Sequence, residues 1–375
     1  NLLLMLLAGI ASCGDQSDPV AASFPIPVSQ RGEFPGITAA LTINLAALPE
    51  YASPLLPKHL QGIGRFDNTP TSNPITNAGA TLGRVLFFDT QLSLNGTTAC
   101  ASCHLAAAGF GDTVRFSKGF AGALNTSAQS MRLLNLRFFQ PGSAFWDRRA
   151  VSLEALATQP IRDSIELGFT NAVGGVDSLI RRMRTLPYYP ELFSIAFGDN
   201  AITEDRLQLA LAQYLRSLVS RDSRFDRGLA ATGGGDLAVP FADFSPEENR
   251  GKFLFMTIRP SGGVQCFQCH AGPSLNLASN ARSNGVDSSE RRIFRSPSLK
   301  SVATSKHFMH DGRFTSLQQV IEFYDSGVQA SPLLDESLMD RNRRPRRLGL
   351  SAADKAALVA FLKTCLLYTS DAADE

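Results

Sequence analysis

Two short stretches of this 375-residue chain could do redox chemistry. They are Cys100-Ala101-Ser102-Cys103-His104 and Cys266-Phe267-Gln268-Cys269-His270. Cys-x-x-Cys-His is the attachment pattern of a c-type haem. The two thiols bond to the haem vinyl groups as thioethers, and the adjacent imidazole binds the iron. Two copies predict two covalently bound haems c, attached at Cys100, Cys103, Cys266 and Cys269, with His104 and His270 as iron ligands. Zinc binding and thioredoxin-like dithiol chemistry are the competing readings. The two pairs stand far beyond the ~15–20 residues that separate the halves of a zinc ribbon. A dithiol needs no following His, yet two of the five His in the chain follow these pairs.

An iron held by one His keeps its sixth position open unless the chain fills it. Between His104 and Trp146 there is no other His, and Met131 is the sole thioether, so the first iron is expected to be open and able to bind peroxide. For the second iron, Tyr324 and Met309 are the two candidate sixth ligands. Leu317, Val320, Ile321 and Tyr324 share one helical face by i, i+3, i+4, i+7 spacing. Tyr324 therefore points inward, as a ligand or as a core tyrosine.

The elements that must position these groups read as mostly helical. Residues 76–88 predict a helix leading to the first motif, and Ser152 to Thr158 predicts another. Thr203 caps a third, carrying Leu207, Leu209, Leu211, Leu215 and Leu218. Ser245-Pro246-Glu247-Glu248 has a Ser cap, Pro at the first position and a closing Glu. Thr315-Ser316-Leu317-Gln318 reads as a capping box for a helix ending near Gly327. Ser351 opens a last helix to about Thr364, with Leu358, Phe361 and Leu362 on one face. The run Gly233-Gly234-Gly235 reads as a linker. The expected organisation is a Pro- and Ser-rich tether and irregular lead-in over 14–65, a first haem domain over 66–232 and a second over 233–364. No succession of alternating strands is present, so the expected fold class is mostly α with two haem domains in tandem.

Composition agrees: 44% hydrophobic and 19% charged residues build sizeable cores, and the length suits about two domains. A net charge of +2 gives no reason to expect a nucleic-acid partner. Arg341, Arg343, Arg344, Arg346 and Arg347 form a basic cluster, read as a solvated loop or a docking patch for an acidic partner. At the start, Leu2 to Ser12 has the character of a signal-peptide core. Ile10-Ala11-Ser12-Cys13 resembles a bacterial lipobox, so Cys13 is expected to carry a lipid anchor on a periplasmic lipoprotein. Residues 1–13 are read as a truncated signal, too short in its apolar run to span a membrane. The stretch 365–375 reads as translated sequencing adapter and is set aside with Cys365, which leaves no Cys pair for a disulfide.

The order of several further stretches resembles the bacterial di-haem cytochrome c peroxidase family, including the MauG-type enzymes. They are Leu82 to Asp89, Phe145-Trp146-Asp147-Arg148-Arg149-Ala150, Pro160-Ile161 and Glu166-Leu167-Gly168. The second half adds Ser296-Pro297-Ser298-Leu299, His310-Asp311-Gly312-Arg313-Phe314 and Phe323-Tyr324-Asp325. The similarity covers roughly residues 70 to 364. It implies two cytochrome c-like helical domains facing each other. It implies Glu166, twenty residues after Trp146 as in the family, as the acid–base group above the open haem. Such a group carries a proton between the two peroxide oxygens so that water can leave. Trp146 would lie between the haems and help electrons cross. Tyr324 falls where ordinary peroxidases have Met and MauG-type members have Tyr. Some relatives have a distal His that leaves on reduction, and none is present here. Leu156, Gln159 and Gln129 replace residues common in the family, the last at a position supplying calcium, so calcium between the domains stays open. The expected activity is reduction of hydrogen peroxide with electrons from a small cytochrome c or cupredoxin. The alternatives are a MauG-type oxidase of a protein or organic substrate and a non-enzymatic di-haem electron carrier. Whether the protein is a homodimer stays open.

Overall fold

The computed structural model describes residues 34–53, 56–61, 66–139, 143–233, 237, 239–276 and 282–366. The expected signal segment with Cys13, and residues 367–375, lie outside them. Twelve α-helices occur among the described residues. The first six are α1 Pro35–Ala40, α2 Lys58–Gln61, α3 Asn77–Phe88, α4 Leu153–Ala157, α5 Gln159–Arg162 and α6 Gly175–Thr185. The others are α7 Tyr188–Phe197, α8 Glu204–Ser217, α9 Arg224–Ala231, α10 Pro246–Met256, α11 Leu317–Glu322 and α12 Ala352–Lys363. Among these residues β structure is confined to isolated bridges, so the expected mostly helical class holds.

The helices start where local capping chemistry puts them. Side chains of Thr76, Ser152, Thr203, Ser245 and Ser351 accept from the backbone N–H three residues on, satisfying one of the orphan donors of each first turn. Ser245 makes a full capping box with Glu248, and Pro246 occupies the first position. The expected box at Thr315 is shifted by one residue. Ser316 is the cap of α11, accepting from Gln319 N–H at 3.2 Å, and the Gln319 side chain accepts from Thr315 N–H at 2.7 Å.

Among the described residues two large hydrophobic cores form, with three small clusters beside them. One runs from Ile37 to Leu218, the other from Phe225 to Cys365. The change of core therefore falls ahead of the glycine run, because Phe225 and Leu229 of α9 pack with Phe241 and Phe361. The described part of the lead-in is tied down at Gly36, Ile37 and His59. The Glu191 carboxylate accepts from Gly36 and Ile37 N–H at 2.9 and 2.8 Å, and buried His59 of α2 meets Asp226 of α9 at 2.9 Å. Cys365 is fully buried in the second core.

A helix crossing recurs in the two cores. α3, just before the first Cys motif, crosses α8, and α10, just before the second, crosses α12. Each crossing is tight enough to require Gly: a Cβ on Gly83 would lie 2.0 Å from the Ala210 carbonyl oxygen, and one on Gly251 1.9 Å from that of Ala357. Gly251→Val is expected to cost about 1–3 kcal/mol through overpacking. Thermal unfolding should show a lowered midpoint, and an unchanged one would mean that the two helices do not touch there.

The cores meet across a polar seam. Gln129 N–H donates to the His310 carbonyl at 2.9 Å, and Arg295 N–H to the Trp146 carbonyl at 2.7 Å. Arg132 donates to Ser305 Oγ at 2.6 Å and to the Ser298 carbonyl at 2.8 Å. Asn276 Nδ2 donates to the Asn135 carbonyl at 2.9 Å.

Candidate redox site

The two Cys motifs fold alike. Each forms a single 3-10 turn, Cys100–Ser102 and Cys266–Gln268. In each, the His N–H donates to the carbonyl of the first Cys at 3.0 Å. All four thiols are free of disulfides. Burial pushes the Cys100 and Cys266 thiols up to about 12 and Cys269 up to about 11. Burial thus keeps them in the neutral thiol form. Among the described residues, no cluster of three or more metal-ligating side chains forms at either motif.

Both imidazoles suit iron. Burial lowers the His104 pKa and takes that of His270 to about 4, so both rings are neutral near pH 7. His104 Nδ1 lies 3.0 Å from the Phe110 carbonyl oxygen. That bond orients the ring and leaves Nε2 as the metal-binding nitrogen. The Leu275 and Pro297 backbone carbonyls lie beside the buried His270 ring.

Beside the second motif lies a cavity of about 1570 Å³, open mouth included, lined by Cys266, Cys269, His270, Met309, Tyr324 and Trp146, among others. Such an opening, with a neutral buried imidazole and two thiols on its wall, suits a haem. Tyr324 reaches it from a π-helical turn, Phe323–Gly327, that continues α11. Such turns re-aim side chains and favour functional sites. Met309 has φ of 72°, a left-handed conformation rare outside glycine. Asn284, which sequence reasoning missed, joins the two candidate ligands: its Nδ2 donates to Met309 Sδ at 3.3 Å and to the Tyr324 hydroxyl at 3.4 Å. A lone Asn in a loop carries no sequence signal for that position.

Trp146 sits at the tip of a tight loop closed by the Ala144–Ala150 bridge. Phe145 and Arg148 beside it have φ of 67° and 59°. Its Nε1 donates to the Gln129 carbonyl at 2.7 Å, and its own carbonyl accepts from Arg295, as above. The indole thus stands in the seam between the cores, on the wall of the second cavity. Gln129 pins the seam through its backbone on both sides. His310 stacks on Phe294 with centroids 4.1 Å apart and lines the same cavity.

Glu166 is carried to the first motif by the loop after α5. Asp163 accepts from Ile165 and Glu166 N–H at 2.7 and 3.0 Å, a local turn that Asp side chains favour. Gly168 follows at φ of 86°, where a Cβ would lie 2.5 Å from the Phe120 ring, so Gly is required. The loop is stitched to segments flanking the motif: Leu94 N–H donates to the Leu167 carbonyl at 2.8 Å and Phe120 N–H to that of Ile165 at 3.0 Å. The Glu166 charge consequently acts on both Cys100 and Cys103. Burial first, then Asp163, raise the Glu166 carboxyl to about 7, against a smaller lowering by Arg149. It can hold or release a proton at neutral pH.

The family model for di-haem cytochrome c peroxidase matches residues 77–233. Methylamine utilization protein MauG of Methylophilus methylotrophus is 31% identical, over 79% of this chain and 84% of its own length. Cytochrome c551 peroxidase of Nitrosomonas europaea is 29% identical, over 76% and 79%. Among solved structures, a MauG-like protein associated with microbial copper homeostasis shares the fold with a TM-score of 0.64 at 24% identity, over 87% of this chain and 97% of that one. The diheme peroxidase BthA from Burkholderia thailandensis gives 0.61 at 22% identity, over 77% and 86%.

Proposed function

The chain belongs to the di-haem cytochrome c peroxidase family, and on that premise we propose that it reduces hydrogen peroxide to water with single electrons from a small cytochrome c or cupredoxin. The observation that carries this reading is the Glu166 carboxyl, held beside the first Cys motif with its pKa near neutrality. Once attached at the two motifs, the haems would supply irons that exchange electrons and bind ligands. His104 and His270 would hold those irons, with Tyr324 the preferred sixth ligand of the second and Met309 its alternative. Glu166 takes a proton from the near oxygen of peroxide and returns it to the far one. The Asp163 turn and the Leu94 and Phe120 contacts fix where that carboxylate stands. Trp146, bonded to Gln129 and Arg295, fills the seam between two haem domains that face each other, which suits a role in electron passage. The same reading has the protein exported to the periplasm and held to a membrane by a lipid on Cys13.

The test mixes protein carrying both haems with a reduced small cytochrome c and hydrogen peroxide. Two donor molecules oxidised for each peroxide consumed is the expected outcome. No peroxide-dependent oxidation, with both irons fully ligated, would make the protein an electron carrier instead.

A second reading, a MauG-type oxidase of a protein or organic substrate, is favoured by one observation: Tyr324 lines the second cavity. A hard oxygen ligand favours ferric iron, whereas Met raises the potential. Tyr324→Met is therefore expected to raise the midpoint of the second haem by on the order of 0.1 V, within the roughly 0.8 V range that axial ligands command. Potentiometry that finds no rise would remove Tyr324 from the ligand set.

A further inference from the structure

Arg295 is 2% exposed, yet among the described residues no ion pair or hydrogen bond reaches its side chain, and its Nε is buried without a partner. Its guanidinium lies over the Phe139 ring, Cζ 3.9 Å from the centroid. Stacking satisfies the face of a guanidinium and leaves its edge of N–H donors free. The side chain lines the second cavity, as does Arg132. Arg132 spends Nη1 and Nη2 on Ser305 and Ser298 and keeps a buried, unpartnered Nε. Burial lowers Arg295 to about 9 and Arg132 to about 10, and Arg148 adds like charge beside Arg295. A buried, uncompensated cation is strongly unfavourable. Asp335 is the carboxylate among the residues lining this cavity, and it is engaged by Arg282 and Ser337 N–H at 3.0 and 2.9 Å.

We propose that Arg295 and Arg132 form a carboxylate-binding subsite that holds a propionate of the second haem. The subsite rests on the haem-binding reading above and adds its anionic anchor. Haem brings carboxylates to a cavity whose wall carries Cys266, Cys269 and His270. A guanidinium edge recognises a carboxylate through parallel charge-assisted hydrogen bonds. Arg295 is also bonded through its backbone to Trp146, so the same residue would fix the haem's acidic edge relative to the seam.

The test uses protein loaded with haem, as wild type, Arg295→Leu, Arg295→Lys and Arg132→Gln, with intact mass establishing two haems in each. Two readouts follow: the propionate bending modes in resonance Raman and the midpoint potential of the second haem. Removing the cation should shift those modes in Arg295→Leu. It should also lower the midpoint by at least 59 mV, a tenfold change in a one-electron equilibrium. Arg295→Lys should recover most of the midpoint, because it restores the charge without the fork. Unmoved modes and midpoint in Arg295→Leu with two haems bound would overturn the subsite. If Arg295→Leu is not recovered with both haems, Arg132→Gln carries the decision: shifted modes support the subsite and unshifted modes overturn it. Added acetate that perturbs the wild-type haem spectrum but not that of Arg295→Lys would assign the arginines to a free anion and overturn the propionate assignment. A wild-type protein with fewer than two haems would sink the functional reading itself, a result distinct from full haem content with unmoved modes.

Discussion

Glu166→Gln lowers peroxide turnover about 10²–10⁴-fold, the usual contribution of a positioned proton-transfer group, while both haems stay attached. The amide keeps the shape and removes the proton site. Asp163, Gly168 and the Leu94 and Phe120 contacts act on the backbone of the loop, so the substitution leaves the loop in place. The wild-type pH profile carries the same signature. The carboxyl has its pKa raised to about 7, chiefly by burial. Below that value it is protonated and cannot take a proton from peroxide. kcat/KM should rise with pH through about 7 and level off above it, and the Gln variant should lose this limb. Steady-state kinetics across that range decide the matter. Wild-type turnover in the variant would move the acid–base role to another group.

Arg216→Leu is expected to cost about 3 kcal/mol, the lower end of the penalty for stranding one partner of a buried ion pair, because the Glu154 side chain keeps 17% exposure. Arg216 is 1% exposed on α8. It donates to both carboxylate oxygens of Glu154 on α4, at 2.6 and 3.0 Å, and to Asn68 Oδ1 at 3.0 Å. Asn73 Nδ2 completes the set at 2.8 Å from Glu154. The stretch from Trp146 to Glu166 runs through α4, so this network supports both candidate functional loops. Burial pushes the Glu154 carboxyl up, but the bonds from Arg216 and Asn73 outweigh it and hold the pKa below the ordinary carboxylate value. A depressed carboxyl contributes stability that is present above its unfolded pKa and lost as the pH falls through its folded one. Denaturant unfolding should therefore show the wild type losing stability in that acid range. The variant should start lower at neutral pH and lack that loss. Equal stability of the two at neutral pH would refute the network's importance.

Helix starts were legible because a cap is a contact among neighbours. Thr76, Ser152, Thr203, Ser245 and Ser351 declare themselves within a single turn. The shift at Ser316 arose because Thr315 and Ser316 are both competent caps, and Gln318 and Gln319 both competent closers. Only the three-dimensional path decides which pair meets. The glycine run was read as a linker, and a linker signal in sequence says nothing about which core the helix before it joins. Phe225 and Leu229 decide that by packing with Phe241 and Phe361. At the redox site, the Cys-x-x-Cys-His motifs could be read directly, because their chemistry is written in adjacent residues. Glu166 could not be singled out by its own surroundings in sequence. Its place depends on pairing with Leu94 and Phe120, far along the chain, and only resemblance to a family pointed to it. Asn284 and Arg295 gave no sign at all. Their significance lies in what faces them across the second cavity.

The central claim is that two haems are covalently held by this chain. Its most direct test is the intact mass of the protein produced with a functioning haem-attachment system. The expected value is the mass of the polypeptide plus two haems, falling by one haem when Cys266 and Cys269 are both replaced by Ala. A mass showing one haem or none in the unaltered protein would contradict it.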